Sequence, residues 1–378
     1  MNIPFNVPLM SGSEIRYIDD ALKGSTFSGD GKYNHLCENW FAENLHVSKT
    51  FLTPSCTSAL EMGLILCNVG YGDEVILPSY TFTSTATSVV LHGGVPVFVD
   101  CDPNSLNINV NLIEAAITER TRVIMPVLYN GICPDMDAIE ALAEKYNLKI
   151  LVDAAQAIGA TYKGRSACSY GHLSAVSFHE TKNLHCGEGG ALFVNDSSLI
   201  DRAYVVKDKG TNRKAFLAGR VDKYVWKDKG SSYLMNELSA SFLYAQLEME
   251  REVTKKRRQL WTNYHELLSP LEEKGHVQRF VENSTSVHNG HLYYILVKNE
   301  SVRALLQDKM KSDNISCYFH YVPLHNSDGG KKYGRVGRSS TMEVTDSVSN
   351  RILRLPMYFL LNSVLQERVV ASIDSFFR

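Results

Sequence analysis

Lys149-Ile150-Leu151-Val152-Asp153-Ala154-Ala155-Gln156 is a short apolar run that ends in an acid, and Ala175-Val176-Ser177-Phe178-His179-Glu180-Thr181-Lys182-Asn183 is a second that leads to a lysine. Gly187-Glu188-Gly189-Gly190 closes the second segment. Short apolar runs that turn polar only where they stop read as buried parallel strands. In open α/β sheets the ends of such strands converge on the ligand crevice. An acid and a lysine delivered there suit pyridoxal phosphate: the acid holds the pyridine nitrogen protonated and the amine condenses with the aldehyde. Taken singly, Asp153 also reads as a helix cap and Lys182 as a solvated loop lysine. Their pairing favours chemistry.

Outward from this pair the pattern repeats. Residues 51–53, 74–77, 95–99, 122–127 and 190–194 read as further strands, and helical periodicity separates most of them, as at 58–67 and 136–146. Such alternation predicts an α/β fold, a mainly parallel sheet with helices on both faces. Seven strands of this kind match the large domain of fold-type I pyridoxal phosphate enzymes. Past Lys209 the chain is charged and aromatic through Lys229, an extended connection. Residues 237–250 and 251–271 then read as helices, the second carrying Lys255-Lys256-Arg257-Arg258 as a solvated face. A second α/β pattern follows, with strands expected at 292–297 and 315–321 and two C-terminal helices. The expected division is a large cofactor-binding domain with an N-terminal arm, residues 1–245, and a smaller C-terminal α/β domain, residues 246–378.

Composition excludes several classes. The 39 Lys and Arg nearly balance the 41 Asp and Glu, so no basic patch argues for nucleic acid. No apolar run reaches membrane-spanning length. The start, Met1-Asn2-Ile3-Pro4-Phe5-Asn6-Val7-Pro8, lacks the basic and apolar regions of a secretory signal, so a cytoplasmic location is expected. Eight scattered cysteines without a CxxC pair read as reduced thiols and give no metal site.

One further motif carries chemistry. The strand at 51–53 runs into Ser55-Cys56-Thr57-Ser58 and an apolar helix. Ser55 or Thr57 is a good N-cap, and the free amides of the first turn form an anion site suited to a phosphate.

Residues 153–156, 177–182 and 187–190 together resemble the signature of the DegT/DnrJ/StrS sugar aminotransferases, and the resemblance runs from Pro4 to the last helix. Residues 53–57, 78–82, 209–213 and 230–235 resemble most the branch that forms dTDP-4-amino-4,6-dideoxygalactose. The resemblance implies roles. Asp153 meets the pyridine nitrogen, Gln156 the ring hydroxyl and Phe82 the ring face, while Lys182 carries the aldehyde and later the proton. Ser55, Cys56 and Thr57, where the family has Ser-Gly-Thr, grip the phosphate with Ser177. Ser232, in a Ser-Tyr pair where the family has Asn-Tyr, reaches the phosphate of a partner subunit. Arg220, Tyr321 and His325 are the candidate substrate contacts. Leu128 stands where many members have histidine. Related sugar dehydratases have histidine in place of Lys182, so the lysine points to amino transfer. The implied reaction moves the amino group of L-glutamate to C4 of dTDP-4-dehydro-6-deoxy-D-glucose, for a cell-surface polysaccharide such as O-antigen. Amination at C3 of a related dTDP-keto-sugar and a cofactor-dependent dehydration are the alternatives. A homodimer with shared active sites is also implied, with residues 212–233 crossing between subunits.

Overall fold

The computed structural model describes residues 2–280 and 285–378. The seven expected strands form: β1 (Lys49–Thr53), β2 (Glu74–Pro78), β3 (Val95–Val99), β4 (Thr121–Ile124), β5 (Lys149–Asp153), β6 (Leu173–Ser177) and β7 (Gly190–Val194). They lie in one sheet in the order β1-β7-β6-β5-β4-β2-β3, with an unforeseen two-residue strand, Arg335–Val336, on the β3 edge. All neighbours are parallel except β7, which runs antiparallel to β1 and β6. β4 stops short of the expected 127 because Pro126 has no N–H to donate, and pairing resumes only as a single bridge between Val127 and Asp153.

Helices cover the sheet. α1 (Cys56–Leu66) is apolar on nearly every side, so it packs flat on the strands. At Gly63 an added Cβ would come within 2.7 Å of the Leu151 side chain, so a larger residue there would push that side chain aside. α2 (Thr83–Leu91) follows β2. Near the expected division, α3 (Glu237–Leu247) ends and α4 (Glu250–Leu267) begins three residues later. The helix expected through 271 breaks after α4, and Pro270 opens a separate short turn, Ser269–Glu273.

A second, antiparallel sheet of Gln278–Arg279, β8 (Tyr293–Leu296) and β9 (Ile352–Leu355) builds the C-terminal α/β unit. The strand expected at 315–321 does not form. The amides of Ile315, Ser316 and Tyr318 go singly to the carbonyls of Met310, Ile3 and Arg354, so no ladder develops. The segment then turns inward at His320 and Tyr321, both of which line the central cavity. The extended connection near 212 contains one short helix, Arg213–Leu217. Its aromatic residues are exposed, with Trp226 80% accessible.

The eighth strand is held by charge. Glu74, wholly buried at the start of β2, accepts two bonds from Arg335 (2.7 and 3.1 Å), one from Arg120 (2.7 Å) and one from Thr118 (2.6 Å). Burial pushes its carboxyl up, but these bonds and charges outweigh that and hold it below its ordinary value. The linkage sign follows: the contribution is present above the unfolded carboxyl value and is lost as pH falls through the lower folded one. Glu74→Gln is expected to lower unfolding stability by about 1–3 kcal/mol at neutral pH, with the difference from wild type shrinking in acid. Denaturant melts at neutral and acidic pH check this.

Candidate active site

Parallel pairing of β5 and β6 places Asp153 beside Ala175, so the acid and the loop after β6 leave the sheet at the same end. Asp153 is buried; its Oδ2 accepts from Thr85 Oγ1 of α2 (2.8 Å) and its Oδ1 from the Ala155 amide (3.2 Å). Lys182 lies after β6 on the wall of the same cavity, of about 670 Å³. The two charges are not in ion-pair contact. Burial raises the Asp153 carboxyl despite the Thr85 and Ala155 bonds, and burial lowers the Lys182 amine, with Arg354 adding to the fall.

An anion seat adjoins them. Ser55 caps α1, its Oγ accepting from the Ser58 amide (3.1 Å), which leaves the Cys56 and Thr57 amides at the free first turn. The seat depends on Gly190: a Cβ there would stand 2.4 Å from the Cys56 nitrogen, so glycine alone lets β7 pass beneath the turn. Cys56 itself is helical, with no positive φ, so its replacement of the family's glycine costs no backbone strain. Ser177 lines the cavity with its hydroxyl beside the His179 amide (3.4 Å). Phe82, 60% exposed at the rim, is not a core residue, and its ring centroid lies 6.3 Å from that of Tyr321. Gln156 spends both ends within the chain: Oε1 accepts from the Asn130 amide (2.7 Å) and Nε2 donates to Tyr321 (3.2 Å).

Ser55, Cys56, Thr57, Phe82, Asp153, Gln156, Ser177, Lys182 and Tyr321 therefore face one space. Three other candidates do not. His325 accepts or donates at Ser79 (2.7 Å) and faces Asp346 (3.4 Å) outside the cavity lining. Arg220 is exposed after the short helix, and Ser232 is exposed, tied by its backbone to Asp208. Sequence reasoning missed Thr85, His291, His320 and Arg354, which bond Asp153 or line the cavity. A charge at Arg354 inside the apolar run Ile352–Leu355 was a readable signal; nothing marked Thr85. A larger groove, about 740 Å³, runs along α4 beside Arg251, Lys255 and Arg258, but it holds neither the acid nor the lysine, so chemistry rather than size singles out the smaller cavity.

Residues 8–374 match the model of the DegT/DnrJ/EryC1/StrS aminotransferase family. The chain is 33% identical over 330 residues to the spore coat polysaccharide biosynthesis protein SpsC of Bacillus subtilis, covering 85% of this chain and 84% of that one. A crystal structure of a DegT DnrJ EryC1 StrS aminotransferase from Brucella abortus superposes with a TM-score of 0.87 at 30% identity, over 97% and 95% of the two chains. The PLP-form of the sugar aminotransferase Spr1654 of Streptococcus pneumoniae, at 24% identity, shares the fold with a TM-score of 0.89 over 100% and 98%. The fold is that of a fold-type I aminotransferase, and the cofactor is pyridoxal 5′-phosphate. The residues present fit it: a buried acid for the ring nitrogen, a buried amine for the aldehyde, and a first helical turn, cleared by Gly190, for the phosphate.

Asp153→Asn tests the acid. The variant is expected to fold and keep part of its cofactor while turnover falls about 10²-fold or more, since an amide cannot stabilise a charged ring nitrogen. Turnover on folded, cofactor-saturated protein is the measurement; near-normal turnover with lowered stability would assign Asp153 a structural role instead.

Proposed function

The chain belongs to the DegT/DnrJ/EryC1/StrS aminotransferase family, and from that premise we propose that it moves the amino group of L-glutamate to C4 of dTDP-4-dehydro-6-deoxy-D-glucose. The product is a dTDP-4-amino-4,6-dideoxyhexose, made in the cytoplasm for a cell-surface polysaccharide. The observation that carries the reading is the unpaired Asp153 and Lys182 sharing one cavity with an aromatic wall of Phe82, Tyr318 and Tyr321. Kinship with a spore coat polysaccharide protein supports a sugar acceptor. The match of residues 53–57, 78–82, 209–213 and 230–235 to the C4-aminating branch supports the position.

When bound, pyridoxal phosphate supplies an aldehyde that exchanges amino groups and a ring that draws electrons from the adjacent carbon. Lys182 Nζ takes the proton from the donor's α-carbon and later delivers one to the sugar carbon. Its lowered pKa leaves more of the amine as free base near neutral pH. Asp153, oriented by Thr85 and the Ala155 amide, holds a proton on the ring nitrogen. Ser55, Thr57 and Ser177 anchor the phosphate end, so the reacting carbon stays against Lys182.

The working unit is a homodimer. Arg213, Arg220, Tyr224 and Trp226 lie on a long exposed segment, and Arg, Tyr and Trp are the residue types enriched in interface hot spots. This segment carries Ser232 and reaches the neighbouring cofactor site.

Three experiments test these readings. Proton NMR of the product from purified protein, glutamate and the dTDP-4-keto-sugar is expected to show an amine at C4; an amine at C3 or a deoxygenated sugar would exclude the assignment. Lys182→Ala abolishes activity on this reading, a loss beyond the ~10²–10⁴-fold worth of acid–base catalysis alone. Re-dimerised mixtures of Lys182→Ala with an impaired, folded Arg220 or Ser232 variant should regain activity at the one intact shared site. A fully active monomer would rule the shared site out.

A further inference from the structure

Asn183, the residue after Lys182, is buried, and its side chain is spent at both ends. Nδ2 donates to the Asn289 carbonyl (3.2 Å), which fixes the orientation of the amide, and Oδ1 meets Nδ1 of His291 (3.0 Å). An amide oxygen can only accept, so His291 Nδ1 carries the proton. The ring is neutral at neutral pH. Burial holds it well below the ordinary imidazole range, and the charges of Lys182, Arg257 and Arg354 push the same way. In a neutral ring with the proton on Nδ1, Nε2 is a bare acceptor.

That acceptor is unspent. His291 Nε2 has no partner among the described residues, yet it is not a sealed atom, and the residue lines the central cavity. Lys182 and His291 line this cavity together, and the same two share a small recess behind it with Asn183 and Asn289. The histidine is held from a second side as well. Its backbone amide donates to Asn289 Oδ1 (3.1 Å), and Asn289 Nδ2 donates to the Gln156 and Ile158 carbonyls (2.8 and 2.7 Å). The other cavity imidazole, His320, is not fixed in this way. Its Nδ1 meets the Tyr129 hydroxyl (3.0 Å), which can donate or accept, and it takes no part in the recess.

We propose that His291, locked by Asn183 with its lone pair toward the cavity, accepts a hydrogen bond from Lys182 Nζ and so aims that amine at the reacting carbon. This deepens the proposed amino transfer, in which Lys182 takes a proton from one carbon and gives it to another. With one N–H turned to Nε2, the lone pair of the amine, or the proton it has just taken, faces the cofactor side. The proton stays on Nζ between the two transfers, and no further acid or base is consumed. A hydrogen bond from a charged donor is stronger than one from a neutral donor, so the contact also favours the protonated amine. The other groups acting on the amine are Cys56 of α1 and Asp153 of β5, which favour its charged form, and Arg354 of β9, which opposes it. His291 is a positioning residue: it works through Lys182 and touches neither substrate.

His291→Asn and His291→Gln separate the two ring nitrogens. The asparagine amide stands where Nδ1 stood and keeps the bond to Asn183, but offers nothing at the place of Nε2. The glutamine carbonyl reaches the place of Nε2. Thermal melts establish that both variants fold. In the cofactor-free chain, the acylation of Lys182 by acetic anhydride across a pH series, read by peptide mass spectrometry, gives the midpoint of the amine. His291→Asn should move that midpoint down by about one pH unit, and His291→Gln should restore part of the shift. In cofactor-loaded protein the two half-reactions are then timed separately, L-glutamate with the pyridoxal form and the dTDP-4-keto-sugar with the pyridoxamine form. Lys182 moves the proton in both, so His291→Asn should slow both by a similar factor, about tenfold or more, with each half-saturation constant within about twofold of wild type. An unmoved or raised midpoint overturns the proposal. So does a loss confined to one half-reaction, which would make His291 a substrate contact. A normal His291→Asn beside a defective His291→Gln would overturn it too, leaving His291 only the task of tying the loop to Asn183. If wild type converts glutamate but not the keto-sugar, the proposed acceptor is refuted, and the midpoint with the glutamate half-reaction still judges His291. If it converts neither, the amino transfer is refuted and the midpoint alone decides whether the bond exists.

Discussion

A carboxylate and an amine are buried in one cavity and do not pair with each other. Each pays for burial in the same currency: the acid is pushed up and the amine down, both toward their neutral forms. Two opposite charges brought into contact would relieve that cost, and the architecture prevents it. Asp153 is held at the end of β5 by Thr85 of α2 and by the Ala155 amide, while Lys182 is carried on the loop after β6. The space left between them is where a ring with a basic nitrogen at one end and an aldehyde at the other satisfies both.

Keeping that separation fixed explains otherwise unrelated features of the fold. β5 and β6 must be adjacent and parallel, which sets Asp153 beside Ala175. β7 must turn back antiparallel beside β6 and pass under the α1 turn, which requires a residue without a side chain at Gly190. α1 lies flat on the sheet and aims its first turn at the same point, with Gly63 opposite Leu151 keeping the two close. The phosphate end and the reacting end are therefore positioned by the same packing.

What the sequence disclosed follows from this geometry. Asp153, Ser177 and the Ser55–Thr57 turn were readable because each ends a strand or opens a helix, and parallel topology carries all such points to one edge. Arg335–Val336 was not readable: two residues carry no periodicity, and the strand is pinned by Arg335 donating to Glu74, 261 positions away. Residues 315–321 were expected as a strand, and Ile315 and Cys317 are buried, yet the amides of Ile315, Ser316 and Tyr318 are claimed by three different carbonyls. Tyr321 reaches the cavity because that segment is not a strand. Ser232 and Arg220 belong to a segment whose proposed destination is another subunit, beyond what one chain can place.

The cavity is divided electrically, and that division bears on how two unlike substrates use one site in turn. Its acids, Asp153 and Glu188, belong to the large sheet and its loops, while the wall from the C-terminal unit carries Arg257 and Arg354. The rings of Tyr80, Tyr129 and Tyr321 pack on one another, and their hydroxyls are largely spent on the protein: Tyr80 on the His320 carbonyl, Tyr129 on the His320 ring (3.0 Å), Tyr321 on Gln156 (3.2 Å). Tyr321, which lines the cavity, thus offers mainly a ring face there. On the proposed reaction the hexose is then oriented by shape. Orientation by shape leaves the rotation of the sugar ring to close packing, and that rotation decides which face of C4 meets Lys182 and so whether the new amine is axial or equatorial.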